Sequence, residues 1–465
     1  MSTQLNKKYG LLTAICTVVG TVIGSGVFFK AEKILTETGG NLPIGILAWV
    51  IGGLIMVSCA YAFAILATRH EKVSGVVDFA EALCGKKYAY FMGWFLALFY
   101  YPTLTSVLAW VSARYICVLI GWDITGPQCM TLSGVLLITI FTLNTLAPKL
   151  AGKFQVSATF IKLIPLFLMA IVGTIKGLSN GLLIENFTTV VNEDISAASG
   201  LFKAVVATAF AYEGWICATS INAELRDAKK NLPKALVMGT LIIVAVYITY
   251  YIGLAGGIEN AVIMQGGEAG AKIAFSAVFS NFAGTLLFVF VVISCLGTLN
   301  GLTLGCSRGF YAIAARNQGP ASAILKQVDN ETSMPTNSSM AGLFISAVWL
   351  LFFYGSQLDS PWFGKFSFDS SELPIITTYA MYIPIFINMM FKEKGLGVLK
   401  GKIAPVLAIC GSIFMIVAAA LSHGVYPYQA AKANGEFSLP VLFYLITYAV
   451  IMIIGAFFLK SKKKK

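Results

Sequence analysis

The sequence predicts an all-α polytopic membrane protein with twelve transmembrane helices. Only 12% of its residues are charged and 57% are hydrophobic, whereas soluble globular proteins carry roughly 25% charged residues. Its apolar runs, such as 439–458, reach the length of about 20 residues that crosses ~30 Å of hydrocarbon. Lipid cannot satisfy exposed backbone groups, so these runs must be helices or barrel strands. Their continuous apolarity, without strict alternation, favours helices.

Charged or Gly/Pro-rich breaks divide the apolar sequence into twelve predicted spans. These are residues 9–35, 43–68, 88–120, 127–147, 152–177, 199–223, 233–257, 276–315, 336–355, 371–391, 402–423 and 439–460. An even number of spans places both chain ends on the same side of the membrane.

Lysine and arginine are distributed unequally between the two sides. Of 33 such residues, 24 lie at the N-terminus, in the even-numbered connections and in the C-terminal tail; 8 lie on the opposite side and Lys162 lies within a span. The positive-inside rule therefore predicts that both termini are cytoplasmic, in a multi-pass protein of the plasma membrane. The net charge of +12 then reflects topology and attraction to anionic lipids, and no nucleic-acid partner is predicted.

Composition also disfavours an enzyme and an ion channel. The chain has nine cysteines, mostly inside apolar spans, no CxxC pair, and only two histidines, His70 and His423. We therefore expect no metal site, no cofactor and no catalytic residues. A channel would need a ring of acidic residues or a filter-like segment, and none is evident. A transporter is the remaining class.

Two spans contain residues that should interrupt a helix. The first has Gly24, Ser25 and Gly26 at mid-depth, and the sixth has Glu213 and Gly214. Glycine costs about 1 kcal/mol relative to alanine inside a helix, and a carboxylate at the membrane centre costs several kcal/mol. The glycines could instead allow close helix packing, and the acid could lie near an interface or be neutralised by a neighbour. Breaks at corresponding places of two halves, however, indicate a transport site built from inverted repeats.

The chemistry of such breaks suits a small zwitterionic L-amino acid. A half-helix that starts at Ser25 presents free N–H groups and a positive dipole end, which attract a carboxylate. Half-helices that end near Val22–Ile23 and Phe210–Ala211 present free carbonyl groups, which attract an ammonium group. Tyr100, Tyr101 and Pro102 in the third span are interpreted mainly as packing and a kink.

Four motifs in order resemble the amino acid–polyamine–organocation superfamily, and within it the L-amino acid transporter family. They are Gly24–Phe28, Phe160–Pro165, Phe210–Trp215 and Leu299–Gly301. The likeness extends from Leu11 to about Phe458. This family includes bacterial serine/threonine and alanine–serine–cysteine exchangers.

The resemblance implies a LeuT-like five-plus-five inverted repeat with discontinuous helices 1 and 6. The corresponding division is 1–177 for helices 1–5, 178–335 for helices 6–8, 336–391 for helices 9–10, and 392–465 for helices 11–12 with a basic cytoplasmic tail. It also implies alternating access and leaves room for an accessory single-span subunit, which no feature of the sequence indicates.

The resemblance further assigns roles around the two breaks. The substrate carboxylate is expected at Ser25 and Gly26. The ammonium group is expected at the carbonyls of Val22, Ile23 and Phe210, and the Phe210 ring is expected to cap the site towards the outside. Members of the family carry Asp or Gly where this chain has Glu213, so no role is assigned to that side chain. The complete set of predicted substrate-binding residues is Val22, Ile23, Gly24, Ser25, Gly26, Phe210, Ala211, Glu213 and Gly214.

Lys162 is a cation in the middle of the fifth span. It lies ten residues after Gly152, or roughly 15 Å into a helix, which is too deep for easy snorkelling. We expect its ammonium group to lie near the carbonyls of Val22 and Gly24 and near Ser294, replacing a sodium ion between the first, fifth and eighth helices. Alternatively, Lys162 loses a proton during transport.

The resemblance therefore implies a sodium-independent exchanger, and we expect it to carry small neutral L-amino acids, such as alanine, serine, threonine or cysteine. A proton-coupled symporter or a facilitator on the same fold is the alternative.

Overall fold

Long apolar helices make up most of the protein in the computed structural model. The structure describes residues 10–70, 75–358, 360–435 and 437–461. The predicted basic tail at Lys462–Lys465 lies outside the described residues. Within the described ranges, eleven helices are long and apolar enough to cross a membrane, and a bent pair at the start of the chain makes a twelfth span. The prediction of twelve transmembrane helices is therefore confirmed.

The helices follow one another along the chain with short connections. Their bounds are α1 (Leu11–Val22), α2 (Ser25–Glu37), α3 (Leu42–Arg69), α4 (Val76–Cys84), α5 (Lys86–Ile120), α6 (Pro127–Leu146), α7 (Pro148–Ser179), α8 (Leu182–Thr188), α9 (Ala197–Ala211), α10 (Ala228–Gly257), α11 (Asn260–Gly266), α12 (Gly270–Phe279), α13 (Asn281–Ala314), α14 (Ser322–Leu325), α15 (Thr336–Ser356), α16 (Leu373–Lys392), α17 (Leu399–Ala433) and α18 (Pro440–Ser461). A short 3-10 helix at Trp215–Glu224 continues the sixth span after α9.

Three predicted boundaries were wrong. The seventh span begins at Ala228 and not at residue 233. The eighth span begins at Asn281 and not at residue 276, because the apolar residues before it form the separate helix α12. Ser280 connects the two with φ of 100°, which an α-helix cannot contain. The eleventh span continues beyond residue 423 to Ala433, because its polar last turns remain helical.

The spans pack as two groups around the interrupted helices. Spans one, two, six and seven contact one another through α1, α2, α3, α9 and α10, and spans three, four, eight and nine do so through α5, α6, α13 and α15. The fifth span, α7, contacts both α10 and α13, and α16 packs against α17. The breaks of spans one and six therefore lie between the two groups.

The two sides of the molecule are named here by topology. The terminal face is the one at which α1 begins and α18 ends, and the distal face is the opposite one. By the lysine and arginine distribution, the terminal face is the predicted cytoplasmic side.

Candidate functional site

The first span is interrupted midway between its ends. α1 ends at Val22, α2 begins at Ser25, and the two helices are bent by 41° relative to each other. The predicted discontinuity of helix 1 is therefore confirmed, and it falls at the glycine–serine motif. The first N–H groups of α2 have no helical turn before them to bond, so they point into the break.

Two glycines allow other helices to approach this break closely. A Cβ atom on Gly24 would collide with Thr298 Oγ1 on α13, and one on Gly26 would lie 2.5 Å from the Cα atom of Ala211. Close packing and a helix break thus coincide at this motif. The contact between Gly26 and Ala211 brings together the breaks of spans one and six.

The sixth span is interrupted after Ala211. Gly214 has φ of 108°, a backbone conformation that favours glycine. A Cβ atom on Gly214 would also lie 3.0 Å from the carbonyl oxygen of Thr21. The backbone of this break therefore passes directly along the end of α1, and the predicted discontinuity of helix 6 is confirmed.

A tyrosine of the seventh span lies between the carbonyl ends of both broken helices. The hydroxyl of Tyr247 is 3.0 Å from the carbonyl oxygen of Val22 and 3.1 Å from that of Ala211. Its fully buried ring packs on Trp49 and Tyr212. One hydroxyl hydrogen serves two carbonyls, so these oxygens keep capacity to accept a further hydrogen bond.

Lys162 reaches the end of α1 from the fifth span. Its fully buried ammonium group donates to the carbonyl oxygen of Gly20 at 2.6 Å and to that of Ile23, and it lies 3.4 Å from Thr298 Oγ1. The Thr298 hydroxyl in turn donates to the Ile23 carbonyl at 3.2 Å. Lys162 therefore joins the first, fifth and eighth spans at one point.

The predicted partners of Lys162 were partly wrong. Its ammonium group contacts the carbonyls of Gly20 and Ile23, not those of Val22 and Gly24, because the Val22 carbonyl turns towards Tyr247. From the eighth span, Thr298 takes the position expected for Ser294. Ser294 lies one helical turn earlier, and its hydroxyl makes no hydrogen bond with the described part of the chain.

Glu213 lies beside the break of the sixth span and is only 7% exposed. The Tyr100 hydroxyl on α5 donates a hydrogen bond to its carboxylate. Tyr100 ends a π-helical turn at Leu96–Tyr100, and such turns are frequent at functional sites. Glu213 thus ties the broken sixth span to the third span.

Ser25 provides an unused polar group at the start of α2. Its side chain is 1% exposed, and its hydroxyl makes no hydrogen bond with any residue that the structure describes. A buried hydroxyl without a partner is costly. Together with the free N–H groups of the first turn, it forms a cradle that suits a carboxylate.

Phe210 and Phe29 cover the site on its distal side. Their ring centroids lie 6.0 Å apart in an edge-to-face arrangement. The ammonium group of Lys30 lies 5.0 Å from the centroid of Phe29 and 5.2 Å from that of Phe210. The lysine therefore sits over both rings, at a distance typical of cation–π contacts.

A buried ion pair holds Lys30 in this position. Its ammonium group is 2.6 Å from Glu372 Oε1 and 3.2 Å from Ser371 Oγ, and Lys33 contacts the same carboxylate oxygen at 2.9 Å. Burial alone raises the pKa of the Glu372 carboxyl, but the charges of Lys30 and Lys33 outweigh burial and hold that pKa well below its usual range. The pair links α2 to the start of α16 on the distal side.

The sequence did not single out Tyr247, Lys30 or Glu372. Each could have been noticed as a polar side chain within or beside an apolar span, because a hydroxyl or charge in that position needs a partner. Their partners come from distant parts of the chain, and no spacing rule connects them.

Two broken helices that meet where one group of helices packs against the other indicate a secondary transporter with inverted repeats. The chain belongs to the amino acid permease family, whose model matches residues 9–451. It is therefore a multi-pass membrane transporter of amino acids and not an enzyme, and the predicted membership of the amino acid–polyamine–organocation superfamily is confirmed.

Two curated relatives and one solved structure show the extent of this similarity. The chain is 28% identical over 419 residues to the serine/threonine exchanger SteT of Bacillus subtilis, covering 89% of this chain and 91% of the relative. It is 24% identical over 447 residues to the b(0,+)-type amino acid transporter 1 of Mus musculus, covering 92% and 85%. The crystal structure of MhsT in complex with L-phenylalanine superposes with a TM-score of 0.63 at 14% identity, covering 90% of this chain and all of that chain. This likeness confirms the LeuT-like fold.

Proposed function

We propose that this protein exchanges small neutral L-amino acids across the plasma membrane by alternating access and without sodium. The main observation behind this proposal is the close contact between the two broken helices, at Gly26 and Ala211. N–H groups at the start of α2 and the Ser25 hydroxyl would bind the carboxylate, and carbonyl groups at the ends of α1 and α9 would bind the ammonium group. A zwitterion satisfies both sets at once.

The carboxylate of the substrate would be held at the start of α2. Ser25 brings a buried hydroxyl that lacks a partner among the described residues, and the N-terminus of α2 brings N–H groups and a positive dipole end. The ammonium group would complete the carbonyl groups of Val22 and Ala211, at the ends of α1 and α9, which accept from the Tyr247 hydroxyl and have a second lone pair free. The Ile23 carbonyl is unsuited to this role, because Lys162 and Thr298 already donate to it.

Sodium independence is supported by Lys162. Its ammonium group is surrounded by the carbonyl oxygens of Gly20 and Ile23 and the hydroxyl of Thr298. Such a set of oxygens also suits a small cation. A fixed positive charge in this position makes a bound sodium ion unnecessary, and it holds spans one, five and eight together.

Restriction to small neutral substrates is supported by two observations. The rings of Phe29 and Phe210 lie beside the breaks in edge-to-face contact, and apolar rings suit a neutral side chain better than a charged one. The name of the Bacillus subtilis relative, a serine/threonine exchanger, points to small substrates.

Alternating access would proceed by movement of α2 and α9 relative to the other spans. In the proposed cycle the Phe29 and Phe210 rings and the Lys30–Glu372 pair close the distal side in one state. Release of that pair would free α2 to move away from α16. With both termini in the cytoplasm, the distal side would face the cell exterior.

Transport of labelled L-serine and L-alanine into proteoliposomes in sodium-free buffer tests the proposal. We expect uptake into vesicles preloaded with unlabelled amino acid and little uptake into empty vesicles. Equal uptake into empty vesicles would overturn exchange, and stimulation by a proton gradient would then identify a symporter. Absence of uptake for every amino acid would overturn the proposed substrate class.

Two variants localise the site in the same assay. Ser25→Ala removes the buried hydroxyl at the start of α2, and we expect the KM for L-serine to rise on the order of fivefold or more. Thr303→Val is the matched control, because Thr303 is also fully buried with a hydroxyl that lacks a partner among the described residues. An unchanged KM in Ser25→Ala would contradict the carboxylate site.

A further inference from the structure

His423 of the eleventh span contacts the Lys30–Glu372 ion pair on the distal side. Its Nε2 atom lies 3.0 Å from Oε2 of Glu372, whereas Lys30 and Lys33 both contact Oε1. Glu372 therefore connects three elements, namely α2 through the two lysines, the start of α16 through its own backbone, and α17 through His423. The eleventh span is outside the predicted five-plus-five repeat.

Solvent has access to His423 through a cavity of about 280 Å³ on the distal face. The cavity is lined by side chains of α2, α9 and α17 and by Glu372. Its lining includes Lys33, Glu37, Lys203, Glu372, His423 and Tyr426. The side chain of His423 is 14% exposed, whereas that of Glu372 is 2% exposed. Protons from the distal solution can thus reach the imidazole without opening the ion pair.

The charged groups around His423 have a net charge of zero when its imidazole is neutral. Lys30 and Lys33 on α2 face Glu372 and Asp369 from the segment before α16. The other charged groups that line the cavity, Lys203 and Glu37, pair with each other at 3.2 Å. A proton on His423 therefore adds one positive charge to a cluster with no net charge.

We propose that His423 makes closure of the distal face proton-dependent, with protonation favouring the open state. When the lysines contact Glu372, they neutralise the carboxylate that would otherwise stabilise a charged imidazole. When α2 moves away, His423 faces the carboxylate without two competing ammonium groups. The imidazole therefore binds a proton more tightly in the open state, and by linkage the proton favours that state.

The pH range of this effect follows from the residue types involved. Histidine is the side chain that ordinarily changes charge between pH 5 and 8. Glu372 remains ionised in that range, because the two lysines hold its pKa well below the usual carboxyl range. Acidification from pH 8 to 5.5 on the distal side should therefore change the charge of His423 and leave the Lys30–Glu372 pair ionised.

The chain offers a matched control in its second histidine. His70 follows α3 at the terminal face, and its Nε2 atom lies 2.7 Å from Glu393 Oε1. It has the same kind of partner but lies on the opposite face from the distal ion pair. His70→Gln should therefore keep any pH dependence that arises at the distal face, whereas His423→Gln should lose it.

The test is the KM for labelled L-serine presented to the distal face of oriented proteoliposomes, with pH varied on that side only. This inference rests on the proposed transport of amino acids. For the wild type and His70→Gln we expect the KM to fall on the order of fivefold from pH 8 to 5.5, at the lower end of usual coupling between two sites. For His423→Gln we expect a KM that does not vary with pH.

A second variant keeps the test decisive if His423→Gln does not fold. Lys30→Met removes one of the two competing ammonium groups, so its KM should vary less with pH than that of the wild type. A pH-independent KM in the wild type, or an unchanged pH profile in His423→Gln, would overturn the inference while transport itself stands. Failure of wild-type transport would instead overturn the proposed function.

Discussion

The ammonium group of Lys162 lies 2.6 Å from the carbonyl oxygen of Gly20, at the end of α1. The carbonyl belongs to the last turn before the break, where no later N–H group of the same helix can reach it. The Lys162 side chain of the fifth span thus provides the hydrogen-bond donor that the end of this first-span helix lacks. The relationship makes the broken helix dependent on a charge from another part of the fold.

Replacement of Lys162 by alanine should abolish most transport. The variant leaves two carbonyl groups of the first span without their charged donor, and such a hydrogen bond contributes roughly 1.5–3 kcal/mol. We expect the rate of serine exchange in sodium-free proteoliposomes to fall on the order of tenfold or more. Lys153→Ala is the control, because Lys153 lies on the same helix and is exposed. Exchange at the wild-type rate in Lys162→Ala would contradict the proposed role of the lysine.

Replacement of Gly26 by alanine should impair transport through steric collision. The new methyl group would lie 2.5 Å from the Cα atom of Ala211, and overpacking of this kind costs about 1–3 kcal/mol. We expect the exchange rate to fall roughly tenfold while the protein still inserts into membranes. Gly134→Ala on α6 is the control, because no atom of the described residues lies within 4 Å of the position that its new methyl group would take. Equal rates for both variants would show that the contact between the two breaks is not needed.

Replacement of Tyr247 by phenylalanine should weaken substrate binding. It removes the hydroxyl that bridges the carbonyls of Val22 and Ala211 and keeps the ring on Trp49. An unsatisfied buried carbonyl costs about 1–3 kcal/mol, so we expect the KM for L-serine to rise on the order of tenfold. Tyr251→Phe is the matched control, because its hydroxyl has no partner in the described part of the chain and its ring also packs on Trp49. A larger effect in Tyr251→Phe would refute the bridging role.

Replacement of Glu372 by glutamine should destabilise the folded protein. Lys30 is fully buried, and removal of one partner of a buried ion pair costs about 3–5 kcal/mol. We expect a lower apparent unfolding temperature in detergent for Glu372→Gln. The double variant Lys30→Met, Glu372→Gln should regain part of that temperature, because it no longer leaves the Lys30 charge buried without a partner. Equal losses in the single and the double variant would show that the two side chains act independently.

The pH dependence of that stability follows from the depressed pKa of Glu372. A carboxyl with a lowered pKa stabilises the folded state above its ordinary pKa of about 4.3. The contribution is lost as the pH falls through the lower, folded-state value. We therefore expect the difference in unfolding temperature between His423→Gln and the double variant His423→Gln, Glu372→Gln, in which the histidine cannot contribute, to stay constant from pH 8 to 5 and to shrink only in stronger acid.

The sequence by itself determined the fold class, the number of spans and the position of both breaks. Apolar length is a local property, because each span must satisfy its own backbone hydrogen bonds in lipid. The glycine–serine motif at Gly24–Gly26 and the Glu213–Gly214 pair each weaken a helix locally, so breaks at these two places could be predicted from the sequence. The central position of Lys162 followed from simple counting along its span.

Only the tertiary structure decided which groups meet. Val22 and Tyr247 are 225 residues apart, and Lys30 and Glu372 are 342 residues apart, so their contacts depend on how whole helices pack. The same reason explains why Thr298 and not Ser294 lies near Lys162. Ser294 and Thr298 are four residues apart and lie on the same face of α13. The position of α13 along its axis relative to the fifth span therefore decides which of the two hydroxyls contacts Lys162, and packing against several neighbours sets that position.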